Sequence, residues 1–375
     1  MNERAHSNTK QPKALATRHG ALALPAFLPD ATRGVVRTID AADVAGCGIT
    51  AMMVNLLHLS SHPGTSAVAA LGGVHRFMGW RGPVASDSGG FQAFSLTAGG
   101  RKLGSVSDQG FTYRFDAKQK KRALTPETCI RKQLQLGSDI LFCLDYCTHP
   151  RAAPAVQRES VERTVAWARR CKAAFEEQLA KREDASRPLL FAVVQGGEDA
   201  ALRRECAERL LEIGFDGYGF GGWPIDDAGG LVEMVAHVAE LVPDASPKHA
   251  LGIGKPENLA RAFALGYGLF DCALPTRDAR HGRLFAFKPG LERVATDGTV
   301  FYDQLRLEDD KYTRDKRPIE AACDCACCRS YSRAYVHHLF QVNDPLAMRL
   351  ATMHNLRFYA RLIDRLRAPQ DGPDE

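Results

Sequence analysis

Carboxylate, amide and glycine residues stand at the ends of several short apolar runs in this chain. Asp87 follows the third run and Asp145 ends the fourth, while Asp271 lies inside the last run, LFDCAL. Gln195 ends the fifth run and is followed by two glycines. Asp87 and Gln195 are, taken singly, also typical of turns and loops, but a carboxylate within an apolar run is costly unless it is paired or functional. The set as a whole therefore favours a functional site.

Paired carboxylates suit chemistry at the anomeric carbon of a sugar. One carboxylate attacks C1′ through an oxocarbenium-like transition state, and the other manages the protons. Glycine-rich strand ends let a flat heterocycle approach the backbone, and Asp and Gln side chains read ring N–H donors and a carbonyl acceptor. Guanine presents that pattern, so the residues predict chemistry at the bond between a sugar and a guanine-like base.

A cysteine cluster near the C-terminus predicts a metal site. Four of the eleven cysteines stand together, at Cys323, Cys325, Cys327 and Cys328. The spacing Cys323-x-Cys325-x-x-Cys328 offers three thiolates, and Cys₃His is a regular structural zinc set. A fourth ligand has to come from farther along, where His337, His338 and His354 are available. Disulfides or idle thiols are the alternative, which a reducing compartment disfavours.

The elements that position these residues alternate between apolar runs and helical stretches. Eight runs have strand character: 24–29, 50–55, 83–86, 139–145, 189–195, 217–222, 249–254 and 269–274. Most are unbroken, as in parallel strands covered on both faces. Helical patterns follow nearly every run, most clearly at 125–137, which Thr125-Pro126-Glu127 opens, and at 158–181. Eight such units predict an α/β fold, a closed (β/α)₈ TIM barrel, with a doubly wound open sheet as the runner-up.

Two insertions interrupt the alternation, at 95–124 and at 283–330, the second of which carries the cysteines. We therefore expect a barrel over 14–282 and an inserted C-terminal zinc-binding subdomain over 283–366, whose last helix completes the barrel. Both ends, 1–13 and 367–375, are expected to be unstructured because they are polar and rich in charge or proline.

Composition places the chain among ordinary globular proteins. It has 375 residues, 45% hydrophobic and 25% charged, with a net charge of +5. That charge is compatible with a polyanionic partner without demanding one. No apolar run approaches the roughly 20 residues needed to cross a bilayer, and the first residues lack a signal-peptide core. A cytoplasmic protein with no membrane partner is expected.

With these motifs in this order and spacing, the chain resembles the tRNA-guanine transglycosylase family, which inserts queuosine or archaeosine precursors into tRNA. The segments that carry the resemblance are SDSGGFQ, VVQGG, GFGGWPI, LGIGKPENL, FDCALPTRDARHG, CDCACC and SRAYVHHLF…MHNLRFY. The resemblance spans about residues 15–366 and is of the bacterial type, without an added RNA-binding domain.

The resemblance implies a role for each matching residue. Asp271 matches the nucleophile and Asp87 the general acid/base. The positions around the base are Ser88, Phe91, Asp145, Gln195, Gly221, Gly222, Trp223, Leu251 and Gly252, with Phe91 stacking on one face and Leu251 covering the other. Ribose or RNA contacts are expected at Asn55, Gln92, Arg277, Arg280, Arg283 and Lys288, although a solvated basic loop is the alternative for the last four. The zinc ligands are Cys323, Cys325, Cys328 and His354, which leaves Cys327 spare and places His337 and His338 in an interface or core.

The resemblance also implies a double displacement with net retention at C1′. The expected partners are a tRNA anticodon loop, guanine and a 7-deazaguanine base such as preQ1, and the expected assembly is a homodimer. One structural zinc per chain and no organic cofactor are expected. Two rivals remain: the same exchange on DNA, and a non-catalytic subunit of a heterodimeric transglycosylase, against which the presence of Asp87 and Asp271 argues.

Three departures from the family pattern surround the expected pocket. The usual Leu-Ala-Val-Gly-Glu after Gly222 is replaced by Trp223-Pro224-Ile225-Asp226-Asp227, an acidic residue is replaced by Tyr146, and Asn-Thr-Tyr-His-Leu is reduced to Asn55-Leu56-Leu57-His58-Leu59. Pro224 has no N–H to offer a nitrile, whereas the Trp223 carbonyl can accept from an aminomethyl group, and Asp226 or Asp227 can add negative charge. The loop predicts an aminomethyl base over a nitrile base, with simple closure of the pocket as the alternative.

Overall fold

The computed structural model describes residues 12–98, 103–116, 118, 120–182, 186–291 and 293–368. Of the two ends expected to be unstructured, 1–11 and 369–375 lie outside these residues. The strands are β1 (Ala14–Thr17), β2 (Gly20–Ala23), β3 (Ala26–Pro29), β4 (Met52–Asn55), β5 (Val84–Asp87), β6 (Gly104–Ser107), β7 (Gly110–Tyr113), β8 (Arg122–Leu124), β9 (Ile140–Phe142), β10 (Leu189–Val194), β11 (Gly217–Phe220), β12 (Lys248–Leu251), β13 (Leu269–Cys272), β14 (Arg283–Phe287) and β15 (Tyr302–Arg306).

The helices alternate with most of these strands, and a 3₁₀ turn spans Asp310–Tyr312. They are α1 (Ala41–Gly46), α2 (Leu56–Ser61), α3 (Thr65–Ala70), α4 (Gly73–Met78), α5 (Gly90–Ala98), α6 (Pro126–Leu136), α7 (Pro154–Ala180), α8 (Ala200–Ile213), α9 (Glu233–Leu241), α10 (Pro256–Ala264), α11 (Leu274–Ala279), α12 (Ala326–Ser330), α13 (Arg333–Gln341) and α14 (Pro345–Arg367).

Eight parallel strands form one sheet in the order β3-β13-β12-β11-β10-β9-β5-β4. The two edge strands approach each other, since the Ala31 N–H donates to the Met53 carbonyl at 2.7 Å and Asp30 forms a parallel bridge with Met53. These strands are the eight apolar runs of the sequence, so the predicted (β/α)₈ barrel is confirmed. The unbroken runs are explained because β3, β4 and β11 are buried along their whole length.

The strand at 139–145 is shorter than the sequence predicts. β9 ends at Phe142, although the Cys143 N–H still reaches the Phe191 carbonyl at 2.8 Å. Asp145 therefore lies beyond the end of β9. At this position its side chain can point into the mouth of the barrel.

The predicted helix at 125–137 is confirmed as α6, and its ends have clear local causes. Thr125 and Thr128 form a capping box, Pro126 occupies the first turn, and Gly137 ends the helix with φ 77°. Only glycine adopts this left-handed conformation readily. The second predicted helix, α7, begins at Pro154, earlier than the predicted 158.

The insertion at 95–124 holds a small antiparallel sheet, β6-β7-β8, that the sequence did not predict. Phe111 and Tyr113 on β7 are buried, and the Phe111 ring meets Trp167 of α7 edge-on at 5.3 Å. The Trp167 indole N–H donates to the Asp108 carbonyl at 2.8 Å. This small sheet is therefore packed against α7.

Helix α14 joins two hydrophobic cores. Near its start, Ala347, Leu350 and Ala351 pack with the four clustered cysteines. Farther along, Phe358 and Leu362 belong to the core around the barrel. One helix thus anchors the metal-bearing segment to the barrel. Among the described helices none has the length and apolar character needed to span a membrane.

Candidate active site and metal centre

Asp87 ends β5 directly beside Asn55, which ends β4. The Asn55 amide donates to Asp87 Oδ2 at 2.6 Å, and the N–H groups of Leu56 and Gly89 donate to Oδ1 at 3.0 and 3.2 Å. Burial raises the pKa of Asp87 to about 7, with the charge of Asp271 adding to the rise and the bonds from Leu56 and Asn55 opposing it. A carboxyl with this pKa exchanges a proton readily near neutral pH.

Asp271 lies on β13, where its side chain is 20% exposed. His249 Nε2 lies 2.9 Å from Asp271 Oδ1, and the Gly252 N–H donates to the same oxygen at 3.3 Å. Gly252, which the sequence placed at the base, is thus a donor to Asp271. His249 was missed, and its signal was a polar residue at the start of an otherwise apolar run.

Asp145, Gln195 and Ser88 converge as the sequence predicted. Gln195 Nε2 donates to Asp145 Oδ2 at 2.6 Å, and Ser88 Oγ donates to Oδ1 at 3.3 Å. Burial raises the pKa of Asp145 to about 6, against the lowering effect of these two donors. The carboxylate form therefore predominates at neutral pH and can accept from N–H groups of a base.

Two glycine positions at the mouth have no room for a side chain. A Cβ on Gly89 (φ +77°) would lie 1.9 Å from Leu57 Cδ1, and one on Gly221 would lie 2.6 Å from Gln195 Nε2. Neither position tolerates a larger residue unless the Leu57 side chain or the Gln195 amide moves. The glycine-rich strand ends are thus required by packing.

Arg203 on α8 is a buried cation that the sequence did not reveal. Its Nη1 donates to the carbonyls of Val194 and Gly221 at 2.6 and 2.9 Å, and its Nε donates to that of Gly197 at 3.0 Å. The guanidinium also lies over the Phe220 ring, 4.3 Å from the centroid. Burial lowers its pKa to about 10, so it stays charged. Arg203 fixes the ends of β10 and β11, and with them the Gln195 and Gly222 segments.

Two aromatic rings border the mouth. Phe91 is 46% exposed and meets Trp223 at 5.6 Å between centroids, close to edge-on. Gln92 Oε1 is buried and has no hydrogen-bond partner among the described residues. Leu251, at the end of β12, packs with apolar residues inside the barrel. The Phe91 side chain, which was predicted to stack on the base, is therefore accessible at the mouth of the barrel.

The departures from the family pattern do not all face the pocket. Asp226 accepts from the Gly230 N–H at 2.8 Å within its own hairpin, and exposed Asp227 pairs with Arg151 at 2.6 Å. The expectation that one of them places a charge at the base is not supported by these contacts. The Tyr146 ring packs beside Phe111 and Trp167. The Tyr146 backbone N–H donates to the Thr164 hydroxyl at 3.0 Å, which ties this segment to α7.

The four basic residues after Asp271 divide into two kinds. Arg277 is exposed, and Arg280, whose pKa is lowered by burial and by Arg37 and Arg277, belongs to a basic group near the mouth. Arg283 instead pairs with Asp278 at 3.1 Å, and Lys288 donates to the Val300 carbonyl at 2.8 Å. Arg280 Nη1 also donates to the Thr276 carbonyl at 3.0 Å. Three of the four basic residues thus have protein partners, and exposed Arg277 is the best placed to meet a phosphate.

Cys323, Cys325, Cys328 and His354 form one buried cluster. His354 Nδ1 lies 3.7, 3.7 and 3.2 Å from the three Sγ atoms, close to the roughly 3.6 Å expected between N and S ligands of a tetrahedral zinc. Its Nε2 donates to the Phe285 carbonyl at 2.6 Å, which turns Nδ1 toward the thiols. Cys327 is buried outside the cluster, and His337 bonds the Leu307 carbonyl at 2.7 Å. The donor set fits a structural metal site.

The fold and the site together define a (β/α)₈-barrel enzyme with carboxylates at the C-terminal ends of its strands and a separate structural metal centre. The chain belongs to the queuine tRNA-ribosyltransferase (TGT) family, whose sequence profile matches residues 12–369. The predicted resemblance is thereby confirmed.

Bacterial relatives support this membership along nearly the whole chain. The queuine tRNA-ribosyltransferase of Syntrophobacter fumaroxidans is 38% identical over 354 residues, covering 94% of this chain and 88% of that protein. That of Thiobacillus denitrificans is 38% identical over 359 residues, covering 94% and 90%. That of Symbiobacterium thermophilum is 37% identical over 355 residues, covering 94% and 82%.

Proposed function

We propose that this chain is a tRNA-guanine transglycosylase that replaces guanine in an anticodon loop with a 7-deazaguanine through an aspartate-linked ribosyl intermediate. The observation that carries the proposal is the contrast between two carboxylates at one barrel mouth. Asp87 is surrounded by donors yet has a pKa near 7. Asp271 has both of its hydrogen bonds on Oδ1, and no described residue donates to Oδ2.

In the first displacement, Asp271 Oδ2 attacks C1′ of the target nucleotide. The C1′–N9 bond breaks, its electron pair goes to N9 of guanine, and Asp87 supplies the proton that neutralises the leaving base. A ribosyl ester of Asp271 results. The nucleotide has to be turned out of its stack to reach the mouth, as in other enzymes that act on bases.

In the second displacement, the incoming base loses its N9 proton to the Asp87 carboxylate. N9 attacks C1′, and the C1′–O bond breaks with its electron pair returning to Asp271. Two inversions give net retention. Asp87 therefore begins the next cycle protonated, which its pKa near 7 permits.

The base is read by the cluster around Asp145. The Asp145 carboxylate accepts from ring and amino N–H groups, Gln195 and the Gly222 N–H face the carbonyl edge, and Phe91 stacks on the ring. The direct bond between Gln195 and Asp145 supports this reading, since it holds both groups at one edge. Arg277 and Arg280 meet RNA phosphates, and Asn55 and Gln92 lie beside the ribose.

The Cys₃His cluster holds one structural zinc, and no organic cofactor takes part. Zinc with four protein ligands keeps no position for water, so it supplies folding energy and no chemistry. We place the polymer substrate, and hence the enzyme, in the cytoplasm.

A second copy of this chain covers an apolar surface beside α4 and α14. Val35, Phe77 and Met348 are 47%, 37% and 38% exposed, and a cleft of about 550 Å³ is lined by Val35, Phe77 and Arg349. Exposed apolar surface of this kind is typical of protein interfaces. We therefore expect a homodimer, as the resemblance implies.

A trapping experiment tests the proposal. Purified chain is incubated with an RNA hairpin and a base analogue that cannot displace Asp271, then denatured. Wild type should retain covalently bound RNA, and Asp271→Asn should retain none and lose base exchange by at least about 10³-fold, since it lacks the nucleophile. Adduct formation or exchange at the wild-type rate by Asp271→Asn overturns the mechanism. Absence of any exchange by the wild-type chain alone would instead favour the non-catalytic subunit.

A further inference from the structure

His249 contacts the proposed nucleophile, and the mechanism proposed above gives it no role. Its side chain is fully buried on β12, and its Nε2 lies 2.9 Å from Asp271 Oδ1. The Phe142 ring meets the imidazole edge-on at 5.3 Å. A buried histidine carries a desolvation cost, and here its ring is aimed at the proposed reacting carboxylate.

The hydrogen-bond pattern fixes which ring nitrogen carries the proton. A carboxylate oxygen only accepts, so Nε2 is the donor. Nδ1 is buried and has no hydrogen-bond partner among the described residues. A bare lone pair costs less there than an unpaired N–H, because a buried donor without a partner loses its full solvation. Nε2 is therefore a protonated ring nitrogen, and this donor is committed to Asp271.

We propose that His249 is a positioning residue that speeds the second displacement by stabilising the charge returning to Asp271. This inference rests on the proposed function. In the ribosyl ester, Oδ1 is a neutral carbonyl oxygen. As the C1′–O bond breaks, the electron pair spreads over both carboxylate oxygens, and a hydrogen bond to Oδ1 strengthens as that charge grows.

The two donors on Oδ1 have separable roles. The Gly252 N–H, at 3.3 Å, belongs to the backbone and keeps the carboxylate oriented when the His249 side chain is changed. The shorter bond from His249 supplies most of the charge stabilisation. Removing it leaves the attack on C1′ possible but makes Asp271 a poorer leaving group, so the covalent intermediate persists.

Discharge of isolated adduct tests this inference. Adduct is formed without an incoming base, the base is then added, and loss of covalent RNA is followed. His249→Leu should discharge roughly 10- to 100-fold more slowly, the range expected for one hydrogen bond to a charged group. In steady state its kcat and its KM for RNA should fall together, because discharge becomes rate-limiting. A purely structural defect would lower the active fraction and leave the discharge rate unchanged.

A matched pair of amides separates the donor from the packing. Gln places its Nε2 near that of His, whereas Asn is one methylene shorter and reaches only the Nδ1 position. His249→Gln should discharge within about threefold of wild type and His249→Asn as slowly as His249→Leu. If His249→Leu does not fold, the comparison of His249→Gln with His249→Asn tests the role of His249 by itself. Normal discharge by folded Leu and Asn variants, or Gln as slow as Asn, overturns the role of His249. A covalent adduct in Asp271→Asn would overturn the proposed function itself.

Discussion

At the scale of single residues, the two carboxylates differ because their donors differ. Asp87 has three donors shared between both oxygens, and it still has a pKa near 7 because burial outweighs them. The Asp271 side chain is 20% exposed and has its donors on one oxygen. The same side-chain type is thereby suited to proton transfer in one place and to attack in the other.

The proton-transfer role that we propose for Asp87 predicts a pH dependence that Asn55 controls. The Asn55 amide lowers the pKa of Asp87 by donating to its carboxylate, so removing that donor raises the pKa above 7. The first displacement needs protonated Asp87, so kcat/KM for RNA should fall as pH rises through about 7. In Asn55→Ser this limb should move up by about one pH unit.

Serine is the matched choice because it keeps the helix cap. Asn55 Oδ1 accepts from the His58 N–H at 2.9 Å at the start of α2, and Ser caps helices nearly as well. Thermal unfolding of Asn55→Ser should therefore match wild type. A pH profile of kcat/KM whose alkaline limb stays in place in a folded Asn55→Ser enzyme contradicts the proton role given to Asp87.

The sequence predicted the site residues that stand at strand ends and the one carboxylate that lies inside an apolar run, Asp271. Asp87, Asp145 and Gln195 were found because parallel strands bring their C-terminal ends to one rim. Arg203 and His249 were missed because their contacts cross between elements. A helical arginine is usually solvent-exposed, and nothing nearby in the chain shows that its partners are three carbonyl groups.

At the scale of elements, the Cys₃His cluster joins α14 to the preceding segment. Cys328→Ser should lose most of the bound zinc and lower the unfolding temperature by several degrees, because metal binding contributes folding energy. Its neighbour Cys327 is also buried but lies outside the cluster. Cys327→Ser should keep one zinc per chain by elemental analysis. Loss of zinc from Cys327→Ser, with retention in Cys328→Ser, would show that the ligand is misassigned.

The hairpin after Gly222 predicts base preference. Ile225 bridges Leu231, and the Pro224 carbonyl accepts from the Val232 N–H at 3.0 Å, so the turn is held in place. Since Pro224 offers no N–H, a nitrile base leaves its acceptor unpaired, which costs about 1–3 kcal/mol. The inhibition constant of preQ1 should be at least about tenfold below that of preQ0.

Pro224→Ala restores the missing N–H and is the direct comparison. It should improve binding of preQ0 relative to preQ1, whereas Ile225→Ala, one residue on, should leave the ratio unchanged. Equal inhibition constants for the two bases in wild type, or tighter preQ0, refute the loop argument and leave pocket closure by Trp223.

Helices and strands were predicted correctly where the hydrophobic pattern of a segment and its length indicated the same element. All eight barrel strands were found because a strand buried on both faces is an unbroken apolar run. The β6-β7-β8 sheet was missed because β6 alternates between partly buried and exposed residues and lies in a stretch rich in glycine and lysine. Its stability comes from packing on α7, which local sequence does not encode.

At the scale of the whole molecule, the apolar surface beside α4 and α14 predicts a dimer. The native chain should have twice the mass of one chain in light scattering, and Phe77→Glu should shift it toward monomer by placing a charge in the interface. Leu71 is 55% exposed but does not line the same cleft, so Leu71→Glu is the control. A monomeric wild type, or equal effects of both variants, contradicts this surface assignment.

The central claim is that the purified chain by itself exchanges a guanine base in tRNA. The most direct measurement incubates it with labelled guanine and either total unmodified tRNA or duplex DNA, and counts label in the recovered polymer. We predict incorporation into tRNA, blocked by Asp271→Asn and competed by unlabelled guanine and preQ1, with none in DNA. Label that enters duplex DNA and not tRNA, or enters neither polymer, would contradict the account.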